Sequence, residues 1–193
     1  MTPDPQDDLA YIRQLMEQTR HFTQLSGDHL IAWGLLIGLG LICDGAVTLG
    51  AHLPLSGIWI GLIVVGWLYS FWQGRRASRR QPVAGHAARI VSQLWIACGV
   101  AMTTAFMVGQ WTGAVAGDST PGLSALFIGI GVFMTGVLSG LNWFRNLAFG
   151  WWAGAVTLFI WHGSAALWIL AGLFILLLSV PGLVLNLQAR AAR

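Results

Sequence analysis

Asp44 is the one acid inside a long apolar run, and Thr48 and His52 follow it at the fourth and eighth positions. That spacing puts a carboxylate, a hydroxyl and an imidazole on one face of a helix. Thr103 and Thr104 lie about as far along a later apolar run, counting about 1.5 Å per residue. Gln110 and His162 fall near the same end as His52. An ionised carboxylate inside a bilayer costs about 3 kcal/mol or more unless it is paired or hydrated. These residues therefore suggest a polar pocket open to one side: Asp44, Thr48, His52, Thr103, Thr104, Gln110 and His162. Its chemistry would be acceptance of a proton or cation, with the two imidazoles as carriers at the mouth. The plainer alternative is an Asp44 hydrogen-bonded to a threonine hydroxyl, with interfacial histidines in water.

Other chemistries find less. Haem needs axial ligands facing each other at similar depth. His52 and His162 qualify by depth alone, and no C-x-x-C-H occurs, so a haem-binding redox subunit is a remote alternative. Cys43 and Cys98 both sit in apolar runs and read as small packing residues. No metal site is expected, because histidine and cysteine are not closely paired. The chain has no G-x-S-x-G, no H-E-x-x-H and no G-x-x-x-x-G-K-[ST]. With one glutamate in the chain, a paired-carboxylate site inside the membrane has no second member. No catalytic residue is assigned, no cofactor is expected, and an enzyme is not the favoured reading.

The elements that hold these residues follow from composition. The chain has 193 residues, 56% hydrophobic and 9% charged, with a mean hydropathy of +0.70. Soluble domains carry about 25% charged residues, and so apolar a chain could not cover a soluble core with polar surface. The expected fold class is an all-α membrane protein: a six-helix transmembrane bundle preceded by a cytoplasmic amphipathic interfacial helix. About 20 residues cross the hydrocarbon, which places spans at 30–50, 53–73, 90–111, 123–141, 147–162 and 164–186. The last two should form a tight hairpin, and Pro181 should kink or end the sixth span.

Residues 1–29 read as a tail and the amphipathic helix. Leu9, Ile12, Leu15, Met16, Phe22 and Leu25 recur at threes and fours opposite Arg13, Gln14, Glu17, Arg20 and Gln24. The acidic start does not resemble a secretory signal. Ser26-Gly27-Asp28 is expected to end this helix and cap the next. The segment Ile12-Arg13-Gln14-Leu15-Met16-Glu17-Gln18-Thr19-Arg20-His21-Phe22-Thr23-Gln24-Leu25-Ser26-Gly27, running into Ala32-Trp33-Gly34, resembles one in small multi-span bacterial membrane proteins without characterised function. The resemblance covers about a tenth of the chain. It implies a bacterial inner membrane and carries no functional residues across.

Positive charge fixes the orientation. All ten basic residues are arginines, and Arg75, Arg76, Arg79, Arg80 and Arg89 crowd between the second and third spans. With the N-terminus inside, Arg13, Arg20, the five loop arginines, Arg145, Arg190 and Arg193 all fall on the inner side, and Asp118 on the outer. Positive charge is retained in cytoplasmic loops, so both termini are expected in the cytoplasm. Topology accounts for the arginines, and no nucleic-acid partner is inferred.

Of 25 glycines, several pairs lie four apart: Gly34/Gly38, Gly57/Gly61, Gly109/Gly113, Gly136/Gly140 and Gly150/Gly154. Helices associate in lipid through such small residues, so the first five spans are expected to pack tightly and the sixth to be peripheral. The 11 tryptophans read mainly as interfacial anchors and packing groups. Three classes of function remain. The favoured one is an accessory, sensory or regulatory membrane protein. Its basic loop and residues 1–29 would meet anionic lipid or a protein partner. A transporter or channel built on the Asp44 pocket is the alternative. The haem subunit is the remote one.

Overall fold

The computed structural model describes the backbone of residues 5–80 and 86–191, with side chains at 27–76 and 89–191 except Ser56 and Met107. All secondary structure in it is helical. Helix α1 is Pro5–Thr48 and α2 is Leu55–Arg80. Helix α3 is His86–Thr103, continuing through a π-helical turn at Thr104–Val108 into Gly109–Trp111. After a short 3-10 turn at Gly117–Ser119 come α4 (Thr120–Ser139) and α5 (Asn142–Ile160). Helix α6 is Ser164–Phe174, a second π turn at Ile175–Ser179, then Val180–Ala191. Among the described residues, five helical stretches are long and apolar enough to cross a membrane: Gly27–Thr48, Gly57–Arg76, Arg89–Trp111, Gly117–Ser139 and Ser164–Ala191.

The core lies among α4, α5, α6 and the apolar part of α1. Helix α5 buries Phe144, Ala148, Trp151, Ala155 and Leu158 completely or nearly so. These residues recur at fours and threes, the stripe by which one helix lies against another. The facing stripe on α4 is Ala125, Ile128, Val132, Thr135 and Ser139. Their turn is tight because Gly140 ends α4 with φ +69°, a left-handed conformation that costs glycine little. Arg145 then lies with its backbone directly against Gly136, where a Cβ would clash.

Three expectations are corrected. First, α1 runs without a break through Ser26-Gly27-Asp28. Gly27 lies against Gly182 and Asn186 of α6, and the Asn186 amide donates to Asp28 at 2.6 Å. Tertiary packing overrides the local signal for a helix end. The amphipathic face expected along residues 5–25 lies outside the described side chains, as do those of Arg79 and Arg80.

Second, α6 is central rather than peripheral. Gly34 and Gly38 of α1 pack on it from one side, and Leu177 and Leu173 reach Gly150 and Gly154 of α5 on the other. The loosely held helices are α2 and α3, whose apolar windows are 6% and 12% buried. Gly57 and Gly61 meet nothing within 4 Å. Spacing marks where close approach is allowed, and only some of those places receive a neighbour.

Third, of the two outcomes expected at Pro181, α6 does not end there and instead continues beyond a π turn. Proline has no N–H to give the Leu177 carbonyl four residues earlier. The π turn absorbs the mismatch, and the buried Trp151 indole donates to that Leu177 carbonyl at 3.4 Å. Trp151 also meets Phe174 edge-on at 5.1 Å.

Candidate functional site

Asp44 is part-buried, and its carboxylate accepts from the Trp59 indole of α2, which lies 3.0 Å from both oxygens. Both residues are held by helix geometry. Gly40, one turn before Asp44, leaves room for the Trp59 ring, which would sit 2.8 Å from any Cβ there. The partner of the intramembrane acid is thus an indole rather than a threonine.

Among the described residues, none of the others in the expected pocket hydrogen-bonds to Asp44. The Thr48 hydroxyl donates back to the Gly45 carbonyl at 2.6 Å. His52 and His162 are exposed at helix ends. Thr103 and Thr104 are exposed on α3, whose main partner is α4 rather than α1. The Gln110 amide donates to the Thr120 hydroxyl at 2.7 Å, joining α3 to the start of α4. A cavity of about 250 Å³ does lie at this end, between Thr48, Asp118, Pro121, Ser164 and Leu167. Thr48 is the one member of the expected pocket that lines it. No group of three or more metal-ligating side chains occurs among the described residues. Cys43 and Cys98 are free thiols.

A second polar cluster, at the opposite end, was not foreseen. His29 Nδ1 is 3.1 Å from Gln73 Oε1. His29 Nε2 lies 3.5 Å from the Ser70 hydroxyl. That hydroxyl accepts from the Trp33 indole at 3.0 Å and donates to the Gly66 carbonyl at 2.8 Å. Tyr69 stacks on His29 at 6.3 Å, and Trp67 meets Trp33 edge-on at 6.5 Å. The signal was in the spacing. His29 and Trp33 are four apart on α1, and Ser70 and Gln73 three apart on α2, so each pair shares a helix face.

Just beyond this cluster α2 turns cationic. The Arg75 guanidinium stands 4.1 Å over the Phe71 ring and that of Arg76 5.2 Å over Trp72. Both rings are more than half exposed. Arg89, at the start of α3, is exposed as well.

The two ends share a construction. Trp33 rests on Gly66 and donates to Ser70, four residues on; Trp59 rests on Gly40 and donates to Asp44, four residues on. Trp95 of α3 repeats it on α4, resting on Gly131 and donating to Thr135 at 3.2 Å. In each case glycine supplies the floor and the side chain one turn later supplies the acceptor. Asp44 occupies the position that serine and threonine hold elsewhere. These elements define an all-helical integral membrane protein. No protein-family model, no curated protein and no solved structure matches the chain.

Proposed function

We propose that the chain is a six-span accessory or regulatory protein of a bacterial inner membrane, with both termini in the cytoplasm. Helix α5 would be the sixth crossing. Its 19 residues extend about 28 Å, against about 30 Å of hydrocarbon, and it lies along α4. An even number of crossings returns the C-terminus to the side of the N-terminus. The working surface in this reading is that cytoplasmic side, formed by residues 1–29 and the arginines at the end of α2 and the start of α3, and its ligand is anionic lipid. A protein partner docking through residues 1–29 would act on the same surface.

The observation that carries the reading is the seating of Arg75 and Arg76 over Phe71 and Trp72. The rings hold the guanidinium groups where the hydrocarbon ends, and each arginine near an anionic surface contributes about 1 kcal/mol. The Trp59 bond favours this reading over transport, because it gives Asp44 a packing role of the kind Ser70 and Thr135 have. The test is native mass spectrometry of the protein released from bilayers of phosphatidylglycerol mixed with phosphatidylcholine. The parent is expected to retain phosphatidylglycerol selectively. Replacing Arg75, Arg76, Arg79 and Arg80 by Gln should remove that preference, and equal retention by both proteins would contradict the proposal.

A further inference from the structure

Five pairs in the described helices place glycine at one position and a described polar side chain four residues on: Gly40/Asp44, Gly66/Ser70, Gly99/Thr103, Gly131/Thr135 and Gly182/Asn186. Four of them hold a neighbouring helix. Three receive an indole, as described above, and Gly182/Asn186 receives the α1 backbone at Gly27 with the Asp28 carboxylate. Gly99/Thr103 is the exception. Nothing lies within 4 Å of a Cβ at Gly99. Thr103 is exposed, and its hydroxyl is bonded to no described residue.

We infer that Gly99/Thr103 is the docking slot for Trp67 from a second copy of this chain. Trp67 is 65% exposed and lies on a flank of α2 with Ile60, Val64 and Phe71, each about half exposed or more. Its indole N–H has no acceptor among the described residues, and in hydrocarbon an unmet donor is costly. The depths agree. Trp67 lies 13 residues before Arg80, and Gly99 lies 13 residues after His86, about 20 Å along each helix. Thr103 is one turn further on.

The direction agrees too. Each of the three filled indole slots joins consecutive, antiparallel helices, and α2 of one copy runs antiparallel to α3 of another when a two-fold axis lies along the membrane normal. Such an axis fills both slots at once, Trp67 of each protomer entering the slot of its partner. That is the closed, self-complementary arrangement of a symmetric dimer. The inference needs only that α2 and α3 cross the membrane. It is independent of the lipid-binding reading above.

Crosslinking tests it. In a chain with Cys43→Ala and Cys98→Ala, Trp67→Cys and Gly99→Cys together should give an oxidised dimer in native membranes. Two differently tagged chains, each carrying one of the two substitutions, should give the crosslinked heterodimer. A crosslink within one chain would assign the slot to its own α2 and overturn the dimer, as would the absence of any crosslink in protein that purifies folded. A milder pair checks the chemistry without a new thiol. Thr103→Val and Trp67→Phe, both on exposed faces, should each weaken self-association in nanodiscs by between about threefold and tenfold. Gly99→Leu should abolish it. Self-association unchanged in all three variants would rule out this slot.

Discussion

Helices α2 and α4 are both long and apolar enough to cross a membrane, yet one is 6% and the other 56% buried over its apolar stretch. Helix α4 is gripped along its length by α5, with a glycine turn at one end and interlocking small and large residues between. Helix α2 is attached to α1 at a few points: two indoles, each laid on a glycine and hydrogen-bonded one turn on, and the His29–Gln73 contact. The same holds for α3, attached to α4 by Trp95 on Gly131 and by the Gln110–Thr120 hydrogen bond. Lipid offers no hydrophobic drive for association, so continuous packing and point attachment differ in stability by the number of groups in contact. The molecule is a four-helix core carrying two lightly fastened helices, and the described cationic side chains Arg75, Arg76 and Arg89 lie on those two helices.

The largest effect is expected in the core. Trp151→Ala removes a fully buried ring and the donor to the Leu177 carbonyl, and should lower the unfolding free energy in detergent by about 3–5 kcal/mol. Gly136→Ala forces a methyl into the Arg145 backbone and should cost about 1–3 kcal/mol in the same assay. At the α1–α2 attachment, Trp59→Phe loses one interhelical hydrogen bond, worth about 0.6–1.7 kcal/mol. Asp44→Ser, which restores the hydroxyl used at Ser70, should stay closer to the parent. A double-mutant cycle between Trp59 and Asp44 reads this directly, and zero coupling would remove the attachment. Smallest of all, Gly61→Ala faces open space and should change stability by no more than about 0.5 kcal/mol. If Trp59→Phe cost as much as Trp151→Ala, the distinction between core and fastened helices would fail.

Much of the helical layout was legible in the sequence. Hydropathy marked the apolar runs, and the last two expected spans turn tightly between Ile160 and Ser164 as the hairpin reading required. What could not be read was which glycines meet a neighbour. Gly34/Gly38 and Gly57/Gly61 have the same spacing, and one pair seats α6 while the other meets nothing. Four-residue glycine spacing records permission for contact, and the contact depends on the shape of the other helix. A more specific pattern was present and passed over: glycine followed one turn later by an acceptor, with a tryptophan on the adjoining helix. It would have paired Asp44 with Trp59, and Ser70 with Trp33. The break expected at Ser26-Gly27-Asp28 failed for the opposite reason. Local chemistry pointed to a helix end, and the distant Gly182 and Asn186 of α6 outweighed it.

The proposed function places the arginine-bearing side in the cytoplasm, and cysteine accessibility in intact cells tests this most directly. In a chain with Cys43→Ala and Cys98→Ala, a membrane-impermeant maleimide should label Asp118→Cys from outside the inner membrane and leave Ser78→Cys unlabelled until the membrane is opened. Labelling of Ser78→Cys from outside, with Asp118→Cys protected, would invert the protein and contradict the cytoplasmic surface proposed for it.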